Sequence, residues 1–410
     1  MRILFLGGII SKEMEKEIID KKKGKIDFAA NKFQWNLIDG FMSIDEIKLE
    51  VISAPFVGAY PKYFKDLFIE EYNYSYIYNN KKISIKSVPF CNLWGYRNIS
   101  RKKALKKAVN EYLLQTDPKK VIVVYSAHTP LVQAAAYAKQ EDPSVHICLV
   151  VPDLPQYMNL GDRTSFIYSM LKKVDIKILY KSLEYVDSFV LLTEYMKDIL
   201  KVKKRPYIVI EGMVNKKDIS ISRKSTKKSD VKTVVYTGSL NKKYGVVNLV
   251  KAFLEIDMPN VVLKIAGSGD SEKLIREYAQ KDNRIQFLGQ LSNKEAIELQ
   301  RNATVLVNPR QNIGEFTKYS FPSKNLEYLL SGNPVIAYKL DGIPSDYDSY
   351  FFYVKDNSVD SLKNKIVEVL SLTEEERKVF GERAKEFVIK KKNNVEACFE
   401  IYKMLKDNLK

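Results

Sequence analysis

The chain alternates short apolar runs with helix-forming stretches, and does so twice, on either side of a basic polar segment. RILFLGG (2–8), KLEVISA (48–54), VIVVYSA (121–127), VHICLVV (145–151) and SFVLLT (188–193) read as buried strands, with amphipathic runs such as 101–114 and 131–140 between several of them. Apolar strands spaced by helices predict a parallel sheet covered on both faces. Residues 211–232, EGMVNKKDISISRKSTKKSDVK, hold few large apolar side chains and read as a linker. Strands resume at TVVYTGS (233–239), VVLKIAG (261–267), RIQFLG (284–289), TVLVNP (304–309) and PVIAY (334–338). The expected architecture is α/β. Two Rossmann-like domains, 1–210 and 233–373, face a central cleft, and a helical segment, 374–410, packs back across both. A length of 410 residues suits two such cores.

Composition narrows the function. Cys91, Cys148 and Cys398 are far apart and odd in number, so neither a disulfide framework nor a zinc spacing follows, and a reducing compartment is expected. The apolar start, 1–8, runs into charges without a cleavage site, and the longest uncharged run, 121–138, contains Ser126, His128, Pro130 and Gln133. Both read as strand and turn, so the expectation is a cytoplasmic protein, soluble or peripheral. The net charge is +17; residues 201–232 carry 11 basic against 3 acidic side chains, and 97–107 carry six basic and none acidic. Such charge attracts nucleic acid, anionic lipid or phosphorylated substrates, unless it is merely the solvated lysine of a lysine-rich proteome. Nucleic acid is not the expected partner, because no recognition helix, zinc spacing or aromatic RNA-binding motif is present.

Four stretches hold residues suited to chemistry. In YSFPSKNLEYLLSGNPVIAY (319–338), Ser320 and Pro322 suit a helix start, Leu326, Leu329 and Leu330 a buried face, and Gly332 the helix end. Lys324 and Glu327 lie three apart and share a face, either to meet an anionic or hydroxyl-rich ligand or as a plain ion pair. In YTGSLNKKYG (236–245), Gly238-Ser239, Lys242, Lys243 and Gly245 follow a strand, as a diphosphate site requires and as an exposed turn also allows. Gly7-Gly8 follows the first strand, where backbone amides approach a phosphate or simply turn. His128 follows strand 121–127, placed to hydrogen-bond a sugar hydroxyl or to cap a helix, whereas His146 lies inside a strand and reads as structural. Asp153, in VPDLPQYM (151–158), takes either an acceptor-side or a loop-shaping role. Gly267 and Gly269 are spaced for a dinucleotide fingerprint, but its third position is Glu272, which argues against a nicotinamide enzyme.

Together these residues resemble glycosyltransferase family 4, the retaining nucleotide-sugar transferases of GT-B fold, and the likeness runs over nearly the whole chain. It is sharpest across NPRQNIGEFTKYSFPSKNLEYLLSGNPVIA (308–337), which is similar to the branch with an FPSK-x-x-E-Y-L motif common in bacterial capsule and exopolysaccharide enzymes. TGSLNKKYG, AGSGD, FLGQLS and VPDLPQYM also fit that branch in order. The resemblance implies a hexosyltransferase-type enzyme. His128 would lie near the donor sugar, Lys243 would grip the donor diphosphate, and Glu327, matching the second glutamate of the EX7E motif, would bind the ribose. Gly7, Gly8, Ser239, Tyr319, Ser320, Phe321, Pro322 and Lys324 would line the substrates. Two positions depart from the pattern: Ser239 stands at the usual arginine, and Tyr319 at the first EX7E glutamate, with Glu315 close by.

The implied donor is a nucleotide-diphosphate sugar, with no cofactor and no metal. The implied acceptor is a glycan or polyprenyl-diphosphate-linked hydroxyl at the inner face of the plasma membrane. There the basic run 97–107 and the aromatic-rich 56–78 would contact an anionic surface. DYD at 346–348 is like the DxD metal motif of another transferase architecture but lacks its setting. The alternative, compatible with Tyr319, is a non-catalytic glycosyltransferase-like partner subunit.

Overall fold

The structure, a computed structural model, describes every residue except 24–27, 116–118, 157–165, 220–229 and 410. The chain forms two compact units, Met1–Met213 with Asn394–Lys410, and Val214–Asn393.

The first unit contains β1 (Arg2–Gly7), β2 (Lys48–Ser53), β3 (Phe68–Ile69), β4 (Tyr72–Tyr78), β5 (Lys81–Ser87), β6 (Phe90–Cys91), β7 (Lys120–Tyr125), β8 (His146–Val151), β9 (Ser188–Leu191) and β10 (Tyr207–Val209). Eight of them form one sheet in the order β10-β9-β8-β7-β1-β2-β5-β4, and β3 pairs with β6 apart from it. The runs that read as continuously apolar are central strands: Ile3, Phe5, Val121, Val123 and Leu149 are all fully buried. A strand covered on both faces has no polar side to alternate with.

The sheet is not purely parallel. Residues 72–78, part of the stretch read as an aromatic membrane surface, form β4, which pairs antiparallel with β5. The connection is Asn79-Asn80, with φ of 47° and 61°. A two-residue hairpin whose twist matches its strands needs both residues left-handed, and asparagine tolerates that conformation. The basic run 97–107 also changes character. It lies in the helix Arg97–Leu113, but Arg101 is buried, its guanidinium over the Phe90 ring and donating to the Pro55 carbonyl at 2.7 Å.

The second unit holds β11 (Lys232–Thr237), β12 (Val261–Ala266), β13 (Ile285–Phe287), β14 (Val305–Asn308), β15 (Val335–Ala337) and β16 (Phe352–Tyr353), all parallel, in the order β13-β12-β11-β14-β15-β16. In both sheets the chain works outward from one strand and then returns to its other side. The reversal falls between β1 and β7 in the first unit and between β11 and β14 in the second. At such a point two connections part in opposite directions and leave a crevice beyond the strand ends.

The segment 374–410 is two helices, Glu374–Lys391 in the second unit and Asn394–Asn408 in the first. The latter places Cys398, Ile401 and Leu405 in the same core cluster as Leu37 and Phe41 of the helix Phe28–Met42. Of the segment 211–232, residues 214–219 already belong to the second unit, and 220–229 lie outside the described residues. Among the described residues, no helix is long and apolar enough to cross a membrane.

Candidate functional site

In the second unit the expected residues gather at the reversal point. β11 ends at Thr237, and the chain turns through Gly238 and Ser239 into a short 3-10 turn, Lys242–Tyr244. Two devices hold that turn. The Lys242 N–H donates to Asp270 Oδ1 at 2.7 Å. Gly267, with φ of 143°, lies so close that a Cβ would stand 1.8 Å from the Gly238 carbonyl oxygen. The AGSGD stretch thus supports the 238–243 turn and is no dinucleotide fingerprint of its own. Ser239 and Lys243 are exposed, and Lys243 Nζ stands 5.2 Å from the centre of the Tyr244 ring.

Beside β11, β14 ends at Asn308 and leads through Pro309 into Arg310. Arg310 was not singled out in the sequence, where a lone arginine past a strand carries no motif. Its Nη2 donates to Ser320 Oγ at 2.7 Å, and its guanidinium carbon lies 5.3 Å from the Tyr244 ring centre and 5.1 Å from that of Phe316. Nε is buried without a hydrogen-bond partner, and burial lowers the guanidinium pKa from its ordinary value.

The helix that follows runs Lys324–Leu330, and its N-cap position is Ser323, which makes no side-chain cap bond. Ser320 is therefore not the cap expected. It closes a preceding 3-10 turn, Glu315–Tyr319, where its hydroxyl donates to the Phe316 carbonyl at 3.0 Å and accepts from Arg310. Phe321 turns its ring into the core, 5.3 Å from Tyr347, so only its backbone is left for a ligand. Pro322 accepts the Asn325 N–H at 2.8 Å. Tyr319 is buried, and its hydroxyl donates to Glu315 Oε1 at 3.4 Å, which sets that exposed carboxylate close to the position where the family pattern has a glutamate.

Lys324 and Glu327 form an ion pair at 2.6 Å, with side chains 37% and 24% exposed. Tyr328 fixes their helix to the end of β11: its hydroxyl accepts the Thr237 N–H at 2.8 Å and donates to the Thr237 carbonyl at 2.9 Å. It is fully buried, and burial pushes its pKa up to about 12, so it stays a donor. A buried backbone group left unpaired costs about 1–3 kcal/mol, so this double bond holds the Glu327 helix firmly against the turn bearing Lys243.

The first unit brings together fewer of the expected residues. The Gly8 N–H, expected to face a departing phosphate, donates instead to Gln34 Oε1 at 2.8 Å, and Gly7 and Gly8 both pack tightly, against Gln34 and Phe56. His128 precedes the helix Thr129–Glu141 at its N-cap but makes no side-chain cap bond. Its ring lies 5.4 Å from that of Phe56. Burial first, then the nearby Arg101 and Arg97, drive its pKa down to about 3, so the imidazole is neutral across the physiological range. It can exchange hydrogen bonds with a hydroxyl but cannot balance a negative charge.

His146 is buried and hydrogen-bonded to Ser188 Oγ at 2.8 Å, a structural role. Asp153 is exposed two residues past β8, while residues 157 and 158 of the same stretch lie outside the described residues. In the DYD stretch Asp346 pairs with Lys392 at 2.8 Å and Asp348 with Lys339.

Residues 217–387, all within the second unit, match the model of the family described as glycosyl transferases group 1. Solved structures of low identity share the whole architecture. A sucrose-phosphate synthase from Thermosynechococcus elongatus is 14% identical, with a TM-score of 0.62 over 99% of each chain. HepE from Anabaena, solved with UDP, is also 14% identical, with a TM-score of 0.63 over 99% of this chain and all of that one. The lipopolysaccharide outer core galactosyltransferase WaaB, 14% identical, gives 0.63 over the full length of both. The fold is accordingly α/β, two-domain and GT-B-like. No curated protein matches the chain in sequence.

Proposed function

We propose that this protein is a retaining glycosyltransferase of family 4 type, moving one sugar from a nucleotide-diphosphate donor to a hydroxyl of a glycan or lipid-linked acceptor in bacterial surface polysaccharide synthesis. The observation that carries this reading is the convergence at the β11–β14 reversal. The Lys243 turn, Ser320 and the Lys324–Glu327 helix start meet there, held by Tyr328 and Asp270. The glycosyl transferases group 1 match covers these same residues, and HepE, of like fold, was solved with UDP.

In this reading Glu327 accepts hydrogen bonds from the ribose hydroxyls and Lys243 stabilises the departing diphosphate. The barrier lies largely in parting a diphosphate from an oxocarbenium-like carbon, so a fixed positive charge at the leaving group lowers it most. The acceptor hydroxyl attacks from the face the leaving group vacates, and a donor phosphate oxygen takes its proton. No carboxylate pair is required. His128, neutral, serves as a hydrogen-bonding group toward sugar hydroxyls. Side-chain cations meet the diphosphate charge, so the reading includes no metal.

The test is a thermal-shift screen with UDP, GDP, ADP and their sugar conjugates, with and without EDTA. One nucleotide should raise the melting temperature selectively, and EDTA should leave the shift intact. No shift with any of them would refute the reading. Binding without sugar transfer to any acceptor would select the non-catalytic partner subunit, which Tyr319 favours.

The same reading places the protein in the cytoplasm, at the inner membrane face. Leu93, Trp94, Tyr96 and Ile99 are exposed around the start of the helix Arg97–Leu113, which also exposes Lys103 and Lys107. Apolar and basic side chains together suit an anionic lipid surface. Co-sedimentation with anionic vesicles, absent with neutral ones and weakened by salt, is the expected result. Equal recovery with both vesicle types would sink the idea.

A further inference from the structure

Arg310 has no role in the fold that accounts for its charge. Among the described residues no carboxylate pairs with it: its partners are one hydroxyl, Ser320 Oγ, and the faces of Tyr244 and Phe316. Its Nε is buried and unpartnered. A guanidinium withdrawn from water without a counter-anion is costly, and its spare donors are an open demand for an acceptor.

The position of the side chain says which acceptor. Val234 pairs in parallel with Val305, and Val235 with Leu306. β11 ends at Thr237 and β14 at Asn308, so Ser239 and Arg310 each lie two residues past the end of one of these neighbouring strands. Arg310 and Lys243 also approach the same ring, Tyr244, at 5.3 and 5.2 Å. The turn that bears Lys243 and the loop that bears Arg310 are locked together, because Gly245 packs so tightly on Pro309 that a Cβ would lie 2.0 Å from its carbonyl oxygen. Both cations therefore lie beside Tyr244, close to the ends of β11 and β14. An anion seated there would meet a flexible ammonium on one side and a planar fork, already oriented by Ser320, on the other.

We propose that Arg310 is the second cation of the donor diphosphate site, taking from the β14 side the charge that Ser239 cannot supply from the β11 side. This rests on the nucleotide-diphosphate reading above and adds a named residue to it. Planar guanidinium suits two phosphate oxygens at once, so Arg310 sets the orientation of the leaving group while Lys243 adds charge.

Calorimetric titration of the full chain tests it, using UDP, GDP and ADP against the corresponding nucleosides. Arg310→Gln should weaken the preferred nucleoside diphosphate about 10- to 100-fold while the nucleoside binds as before. Arg310→Lys should recover part of the loss. Ser320→Ala, which removes the hydroxyl but keeps the charge, should cost less than Arg310→Gln. If a folded Arg310→Gln protein binds the diphosphate as tightly as the wild type, the proposal is overturned. It is equally overturned if Ser320→Ala costs as much, since Arg310 would then act only by holding the turn. If the wild type binds no nucleoside diphosphate, the functional reading itself fails, a result distinct from either.

Discussion

Glu327→Ala is expected to lower donor affinity or turnover about 10- to 100-fold, the loss that follows from removing a charged hydrogen bond worth ~1.5–3 kcal/mol. The effect should fall on function and leave folding nearly intact. Glu327 is partly exposed and pairs with Lys324 on the same helix. An exposed ion pair of this kind contributes about 0–1 kcal/mol to stability. The helix stays in place because Tyr328 and its neighbours Leu326 and Leu329, all buried, hold it. The variant should therefore melt within a few degrees of the wild type while its kcat/KM for the donor collapses. Unchanged donor kinetics in such a folded variant would remove Glu327 from the site. Glu327→Gln separates charge from hydrogen bonding: partial recovery is expected, because the amide still accepts from a hydroxyl.

Gly245→Ala is expected to damage both stability and donor binding. Gly245 has φ of 78°, and a Cβ there would lie 2.0 Å from the Pro309 carbonyl oxygen. A non-glycine residue in the left-handed region costs about 1–2 kcal/mol. Forcing an extra carbon into packed backbone adds about 1–3 kcal/mol more. The obstacle is a main-chain oxygen, which cannot swing aside as a side chain does. Relief requires the 242–245 turn and the 308–310 loop to separate, and these carry Lys243 and Arg310. Urea unfolding followed by a probe in the second unit should shift to lower denaturant, with the nucleoside diphosphate binding more weakly still. Wild-type stability would show that the close approach is not real.

The sequence was legible where physics is local. A parallel strand covered on both faces must be largely apolar, and that is why β1, β7, β8, β11 and β14 stood out as runs, while β12 alternates in burial around Lys264. Antiparallel β4 was missed because a run of four tyrosines mimics a surface patch, whereas all four share one strand face and Tyr74, Tyr76 and Tyr78 pack on the core; the Asn79-Asn80 turn was the available signal. The 374–391 helix with its Thr373–Glu376 capping box was equally readable from residue types alone.

Site residues divide in the same way. Lys243 and Glu327 were singled out because each stands beside a turn or helix start that a short motif reveals, and the structure has that turn and that helix start. Ser320 was assigned to the wrong duty, since a serine before a helix looks like a cap, and nothing local shows that an arginine ten residues earlier holds it. The Gly8 amide looked free for the same reason, its partner Gln34 being 26 residues away. Arg310 lies inside the 308–337 stretch, but no local pattern there marks it out from its neighbours.

By itself the sequence determined the two α/β units, most of their strands, and the turns that follow β11 and precede the Lys324–Leu330 helix, because backbone conformation and burial are written in patterns of a few residues. Only the tertiary structure decided which polar groups are already spent and which remain unpaid. The pairing of β11 with β14 brings Ser239 and Arg310 to the ends of neighbouring strands, and burial leaves Arg310 Nε without a hydrogen-bond partner. Hydrogen-bond satisfaction is a property of neighbours in space, and a parallel sheet makes neighbours of residues far apart in the chain, as Thr233 and Thr304, 71 positions apart, are.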